Sequence, residues 1–189
     1  FRDDWMKTFF THELIHVANV TFEDKDYFSS KLFGPLMKSM DYSMLDGWAL
    51  EGLTTVLETE LTDGGRGRSP YFEIQYKATT LDNSFISYNE IGTEAEPPYS
   101  QIYVIGYLMM RSIADRWGLE ALADIERNRT DGLTWEDSVR KVTGHDARDI
   151  YREVRISLEK KFGKEVLALV VNETEDKTKT WKERKLHTV

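Results

Sequence analysis

The sequence of 189 residues contains no cysteine. This absence excludes disulfides, zinc sites built from thiolates and a cysteine nucleophile, and it leaves the redox compartment of the protein undetermined. Any metal site must therefore use histidine, aspartate or glutamate.

Positive charge is also scarce, since 25 Lys and Arg stand against 33 Asp and Glu, for a formal net charge of −8. A surface that binds nucleic acid needs concentrated Lys and Arg, so we expect no nucleic-acid partner. No apolar run approaches the roughly 18 residues that indicate a transmembrane helix. The 40% of hydrophobic residues suffice for one compact core.

The spacing of the apolar residues predicts a mainly α-helical chain, because they recur at steps of three and four. The predicted helices cover residues 3–20, about 33–40, about 46–61, about 70–81, 99–117, about 119–128, 134–143 and 146–162. Gly118, Gly144 and Gly163 are the predicted stops of three of them. The segment EVLALVV, 165–171, predicts a strand, so we expect one domain over residues 1–163 and a separate strand or linker segment over 164–189.

Two of the four histidines stand in His12-Glu13-Leu14-Ile15-His16, which is the pattern H-E-x-x-H. Imidazoles four positions apart project from one face of a helix, where both can coordinate a single zinc ion. Glu13 is displaced around the helix and can reach a water at the metal, which makes it the candidate general base. The surrounding apolar residues favour a metal site, because a buried imidazole pair without a ligand is costly.

A catalytic zinc has three protein ligands and one open position, so a third ligand is needed. The segment GWALEGLTTVLE, 47–58, offers Glu51 on the second helix, with Glu58 two turns later on the same face. One carboxylate can bind the metal while the other orients a ligand. Trp48, Leu50 and Leu53 around Glu51 predict that its side chain points inward.

The segments HELIH and WALEGLTTVLE together resemble the gluzincin zinc metallopeptidases, the thermolysin and aminopeptidase N group, and most closely their peptidase-MA-like branch. The resemblance implies Zn²⁺ bound by His12, His16 and Glu51, with Glu13 as base. Pro98-Tyr99-Ser100-Gln101 is similar to the P-Y-x-K-G segment of the aminopeptidase N relatives, whose tyrosine stabilises the oxyanion, and this likeness implies Tyr99 as a catalytic residue. Tyr103 and Tyr107, one and two turns later, are the fallback donors.

For the fold, the resemblance implies a helical zincin-like catalytic domain over residues 1–163, in which the upstream β-sheet of the family is largely missing. The segments GGRGRSPYFE and GHDARDIYREVRISL look like those of relatives that carry a β-propeller after the peptidase part. The short β segment at the C-terminus could then begin such a propeller, and the resemblance favours a secreted or periplasmic location. Similar stretches cover about residues 8–160.

Two departures from the family pattern limit what it implies. Thr55 stands where thermolysin has an aspartate, so support for a histidine ligand must come from Glu58, Asp46 or Asn19. The aminopeptidase motif G-x-M-E-N is absent, so aminopeptidase activity is not implied.

The predicted function is a zinc-dependent peptidase, and two alternatives differ from it in class. One is a catalytically inert zinc-binding or scaffold domain of a larger protein, against which the presence of Glu13 argues. The other is a carboxylate-bridged di-iron bundle, because Glu13 and His16 also form E-x-x-H. That chemistry needs a second such element, but Val142 and Arg184 stand three positions before the remaining histidines.

Arg66 and Arg68, in the segment GRGR, allow two interpretations. Both are either solvated loop charges or a bidentate binding site for a substrate carboxylate. The sequence favours the loop charges.

Overall fold

A computed structural model describes residues 2–21, 46–91, 101–130 and 133–186, with side chains described for 5–18, 46–91, 101–129 and 133–169. Within these residues the chain forms seven α-helices and no strand, which confirms the prediction of a mainly helical protein. In chain order the helices are α1 (Arg2–Thr21), α2 (Gly47–Leu61), α3 (Pro70–Leu81), α4 (Gln101–Trp117), α5 (Leu119–Thr130), α6 (Trp135–Thr143) and α7 (Ala147–Leu186). Short 3-10 turns lie at Arg66–Arg68, between α2 and α3, and at Tyr88–Glu90, after α3. The helix predicted near residues 33–40 lies outside the described residues.

Helix ends follow from the local sequence. Pro70, which needs no hydrogen-bond acceptor for its nitrogen, is the first residue of α3. Gly118 and Gly144 end α4 and α6 with φ angles of 88° and 74°, a left-handed conformation that glycine adopts without the steric cost of a β-carbon. Both predicted stops are therefore confirmed.

The predicted helix end at Gly163 and the predicted strand after it are not found, because α7 continues without a break from Ala147 to Leu186. Gly163 does not stop it, since a glycine inside a helix costs only about 1 kcal/mol relative to alanine. Residues 165–171, predicted as a strand, lie within this helix. A strand needs a partner to pair with, and the described residues contain none. The division of the chain at residue 163 stays a prediction.

The centre of the fold is the crossing of α2 and α4, where Gly52 faces Gly106. A β-carbon at Gly52 would overlap the backbone of Gly106, and one at Gly106 would overlap the carbonyl oxygen of Trp48. The two helices approach this closely because neither glycine carries a side chain. The buried side chains around the crossing are those of Trp48, Ala49, Leu53, Val56, Val104, Ile105, Met109, Met110 and Ile113.

The later helices enclose this crossing. α5 and α6 pack on each other, and α5 also packs on α4. α3 packs on α7, where the rings of Tyr76 and Phe162 lie 6.0 Å apart and Lys77 pairs with Glu165 at 2.5 Å. These contacts hold α2 and α4 in a fixed frame.

α1 packs along α2 in the opposite direction, since His12 contacts Glu58 while His16, one turn later, contacts Glu51. Near the end of α2, the hydroxyl oxygens of Thr8 and Thr62 lie 3.2 Å apart. The other side of α1 exposes large apolar side chains, namely Trp5, Met6, Phe9, Phe10, Leu14 and Val17. Among the described residues, no helix combines the length and apolar character that a membrane crossing requires.

Candidate metal centre

The two motif histidines lie on the face of α1 that packs against α2. His12 is buried and His16 is half-buried. Their Nε2 atoms are 3.1 Å apart, and their rings meet edge to face with centroids 4.7 Å apart. The four-residue spacing on a helix therefore brings both imidazoles to one point, as the sequence predicts.

Glu51 on α2 reaches the same point. Its Oε2 atom lies 3.3 Å from His12 Nε2 and 3.5 Å from His16 Nε2. This oxygen is buried and accepts no hydrogen bond. A buried carboxylate oxygen without a donor is costly, which points to a ligand that the three side chains share. In the described part of the chain, these three residues form the group close enough to hold a metal ion.

Glu58 contacts the buried His12 at Nδ1, the ring nitrogen that does not face Glu51. Its Oε2 accepts a hydrogen bond from His12 Nδ1 at 2.8 Å, and only 1% of the residue is exposed. When Nδ1 carries the only proton of the ring, as it would with a metal bound, the lone pair of Nε2 is directed at Glu51 and His16. A carboxylate behind a histidine is a common way to set the tautomer and orientation of a metal ligand.

Arg66 in turn holds Glu58. Its backbone N–H and its Nε donate to Glu58 Oε1 at 3.0 and 2.8 Å, and its Nη2 donates to Oε2 at 3.1 Å. Arg68 has a different role, since it donates to the carbonyl oxygens of Thr59 and Thr62 at the end of α2. The guanidinium of Arg66 is thus engaged with a buried carboxylate, which argues against the interpretation as a loop charge.

Thr54 lies beside the second histidine. Its hydroxyl donates to the carbonyl oxygen of Leu50 at 2.8 Å, so its lone pairs are available to His16 Nδ1 at 3.5 Å. Thr54 is not among the residues predicted from the sequence, although its position three residues after Glu51 places both on one face of α2. The contact of Arg66 with Glu58 is not predicted either, because the sequence carries no local signal for it.

The electrostatics of the site favour a cation. Burial works to lower the pKa of His12, but the carboxylates of Glu51 and Glu58 outweigh it and raise that pKa to about 9. Burial likewise opposes the ionisation of Glu51, but His12 and His16 lower its pKa to about 2. Since two carboxylates stabilise positive charge on the imidazoles, the same field favours a metal ion between them.

The other predicted site residues are distributed around this centre. Glu13 is exposed on α1. Tyr99 lies outside the described residues, and Asn19 lies in α1 with a side chain outside them. Asp46 lies at the start of α2, near the charge of Arg129, and is about three turns away from Glu58 along the helix.

The two fallback tyrosines have different surroundings. The ring of Tyr103 lies under the guanidinium of Arg66, 5.1 Å from its central carbon. Burial, and then the charge of Glu51, raise the pKa of the Tyr103 phenol, so this hydroxyl keeps its proton at neutral pH. Tyr107 instead packs in the core against Phe72, with ring centroids 5.3 Å apart. Tyr103 is therefore the fallback donor that lies beside the centre.

Comparison of the chain with protein-family models, with curated proteins and with solved structures finds no match. The geometry of the centre is therefore the basis on which a function is proposed.

Proposed function

We propose that this chain binds a zinc ion through His12, His16 and Glu51 and hydrolyses peptide bonds. The observation that carries the proposal is the convergence of two imidazole nitrogens and a buried carboxylate oxygen that has no hydrogen-bond donor.

The donor set supports zinc in particular. Two imidazoles and one carboxylate, with a fourth position open, are typical of catalytic zinc sites. For zinc bonds of about 2.0–2.1 Å in a tetrahedron, neighbouring ligand atoms are about 3.3–3.4 Å apart. The three separations here are 3.1, 3.3 and 3.5 Å. The donor atoms therefore need little movement to accept the ion.

The chemistry divides between the ion and the protein. A bound zinc ion polarises a substrate carbonyl and lowers the pKa of a water molecule. Glu13, which is exposed next to His12, would accept the proton of the attacking water and pass it to the leaving amine. Tyr103 carries a protonated hydroxyl beside the centre and is a donor for the developing oxyanion, a role that Tyr99 is also predicted to have.

The decisive experiment compares zinc content and peptide turnover in the wild type, Glu13→Gln and Glu51→Ala. We expect about one zinc per wild-type chain and turnover that a chelator abolishes. Glu13→Gln should keep the zinc and lose about 10²–10⁴-fold in turnover, the usual contribution of a general base. Glu51→Ala should lose the zinc.

Glu60→Gln is the matched control, because Glu60 lies on α2 but pairs with Arg111 at 2.5 Å, away from the centre. Full turnover in Glu13→Gln would rule out the mechanism. Zinc bound without any peptide turnover would identify the inert zinc-binding domain instead, and a wild type without zinc affinity would exclude both functions.

A further inference from the structure

The position of Arg66 is set by the turn that follows α2. Gly65 lies so close to Thr59 that a β-carbon there would overlap the threonine backbone. The N–H of Gly67 donates to the hydroxyl of Thr59 at 3.0 Å. The turn is therefore fixed on both sides of Arg66 by contacts that do not use its side chain.

From this position Arg66 supplies three donors to one carboxylate. Its Nε and Nη2 form a fork on the two oxygens of Glu58, and its backbone N–H adds a third hydrogen bond. A buried carboxylate that lacks such partners carries a large desolvation cost. The fork also fixes the plane of the carboxylate, because guanidinium and carboxylate groups match in two-point geometry.

The carboxylate plane decides how His12 is presented. Glu58 Oε2 lies 2.8 Å from His12 Nδ1, and Arg66 Nη2 lies 2.7 Å from the same nitrogen. Metal binding at Nε2 requires the proton on Nδ1, and Glu58 Oε2 is then its acceptor. Arg66 Nη2 is itself a donor, so in this state it forms no hydrogen bond with Nδ1 and donates to Glu58 Oε2 instead. If Glu58 rotated, His12 would lose this acceptor and with it the orientation of its lone pair.

We propose that Arg66 is a positioning residue of the metal centre, which acts by holding Glu58 in the orientation that directs His12 Nε2 to the metal. The inference rests on the proposed zinc site. Glu58 occupies the Nε and Nη2 donors of Arg66, so this fork is not available to a substrate carboxylate.

The test is the zinc dissociation constant of the full chain, measured by competition with a chromophoric chelator. Arg66→Ala should bind zinc about tenfold more weakly or worse, at the low end of the range for residues that support a metal ligand. Arg66→Lys should recover part of the loss, because lysine supplies the charge without the fork. Arg68→Ala is the matched control, since it removes a second arginine of the same turn that does not contact Glu58, and its zinc affinity should equal that of the wild type.

A double-mutant cycle separates positioning from a general structural effect. If Arg66 acts through Glu58, its replacement in a Glu58→Gln background should change zinc affinity much less than in the wild type. Equal losses in both backgrounds, or an unchanged affinity in Arg66→Ala, would overturn the inference. If Arg66→Ala does not fold, as judged by helical circular dichroism, the cycle uses Arg66→Lys.

The comparison of zinc affinities tests the role of Arg66 whether or not the chain hydrolyses peptides. A wild type that binds zinc but cleaves no peptide refutes the proposed peptidase function and leaves the affinity ratios interpretable. Unchanged ratios in an active peptidase refute only the role of Arg66.

Discussion

Thr54 and Arg66 illustrate, at the scale of single residues, how the candidate ligands are supported. Each supports one histidine. Arg66 binds Glu58, which contacts His12 Nδ1, and the Thr54 hydroxyl lies next to His16 Nδ1. Neither is itself a metal ligand. Their contribution would be to hold the imidazoles in the orientation in which the lone pairs converge.

Replacement of Thr54 by valine tests this support for the second histidine. Thr54→Val keeps the shape of the side chain but removes an acceptor of His16 Nδ1, so we expect zinc affinity to fall several-fold, up to about tenfold. Isothermal titration with zinc measures the change. Thr55→Val is the control, because the Thr55 hydroxyl donates to the carbonyl oxygen of Glu51 and does not contact His16. Equal affinities for the two variants would show that Thr54 does not orient the histidine.

The spatial relations that the sequence predicted correctly are those fixed within one helix. His12 and His16 share a face because they are four positions apart, and Glu51 and Glu58 share a face because they are seven apart. The contact between the two pairs, which lie on different helices, was predicted only because histidine and glutamate are ligands of the same metal. Arg66 could not be predicted, because its contact depends on how the turn after α2 folds back.

At the scale of elements, the crossing of α2 and α4 depends on two glycines. In Gly106→Ala the new β-carbon would overlap the carbonyl oxygen of Trp48, so the helices must separate. Overpacking of this kind costs about 1–3 kcal/mol. We therefore expect a lower midpoint in thermal and urea unfolding.

Replacement of Gly163 by alanine should instead stabilise the protein. Gly163 lies inside α7, and no atom lies within 4 Å of the position that its β-carbon would take. Gly163→Ala should raise the free energy of unfolding by about 0.5–1 kcal/mol, the propensity difference between the two residues. A pair of variants with equal stabilities would contradict the close approach at the crossing and the continuity of α7 together.

The error at α7 has a physical explanation at this same scale. The valines and leucines of 165–171 suit a strand and a helix alike, so the decision lies with the neighbouring structure. A helix satisfies its backbone hydrogen bonds internally, whereas a strand needs a second one beside it. Sequence inspection of a single segment contains no information on whether that second strand exists.

At the scale of the whole molecule, α1 joins the rest of the described structure mainly through α2. A metal ion bound by His12, His16 and Glu51 would connect these two helices directly. At a free zinc concentration 100 times the dissociation constant, we expect the free energy of unfolding to increase by about 2.7 kcal/mol. The midpoint of thermal unfolding should rise accordingly. Hydrogen–deuterium exchange should slow in α1 much more than in α4, because α4 supplies no ligand.

A chelator should reverse both effects, and Glu51→Ala should show neither. Protection that increases equally in every helix, or stabilisation that persists in Glu51→Ala, would contradict a site that bridges α1 and α2.

Three polar pairs between α1 and α2 can form together only in one relative position of the helices along their axes. These pairs are Thr8 with Thr62, His12 with Glu58, and His16 with Glu51. A shift of α1 by one turn would bring His16 opposite Glu58 and leave Glu51 with one histidine instead of two. An inserted or deleted residue between 8 and 16, or between 51 and 62, would rotate all later side chains by about 100° about the helix axis. In these two stretches the protein therefore tolerates changes of residue type far better than changes of length.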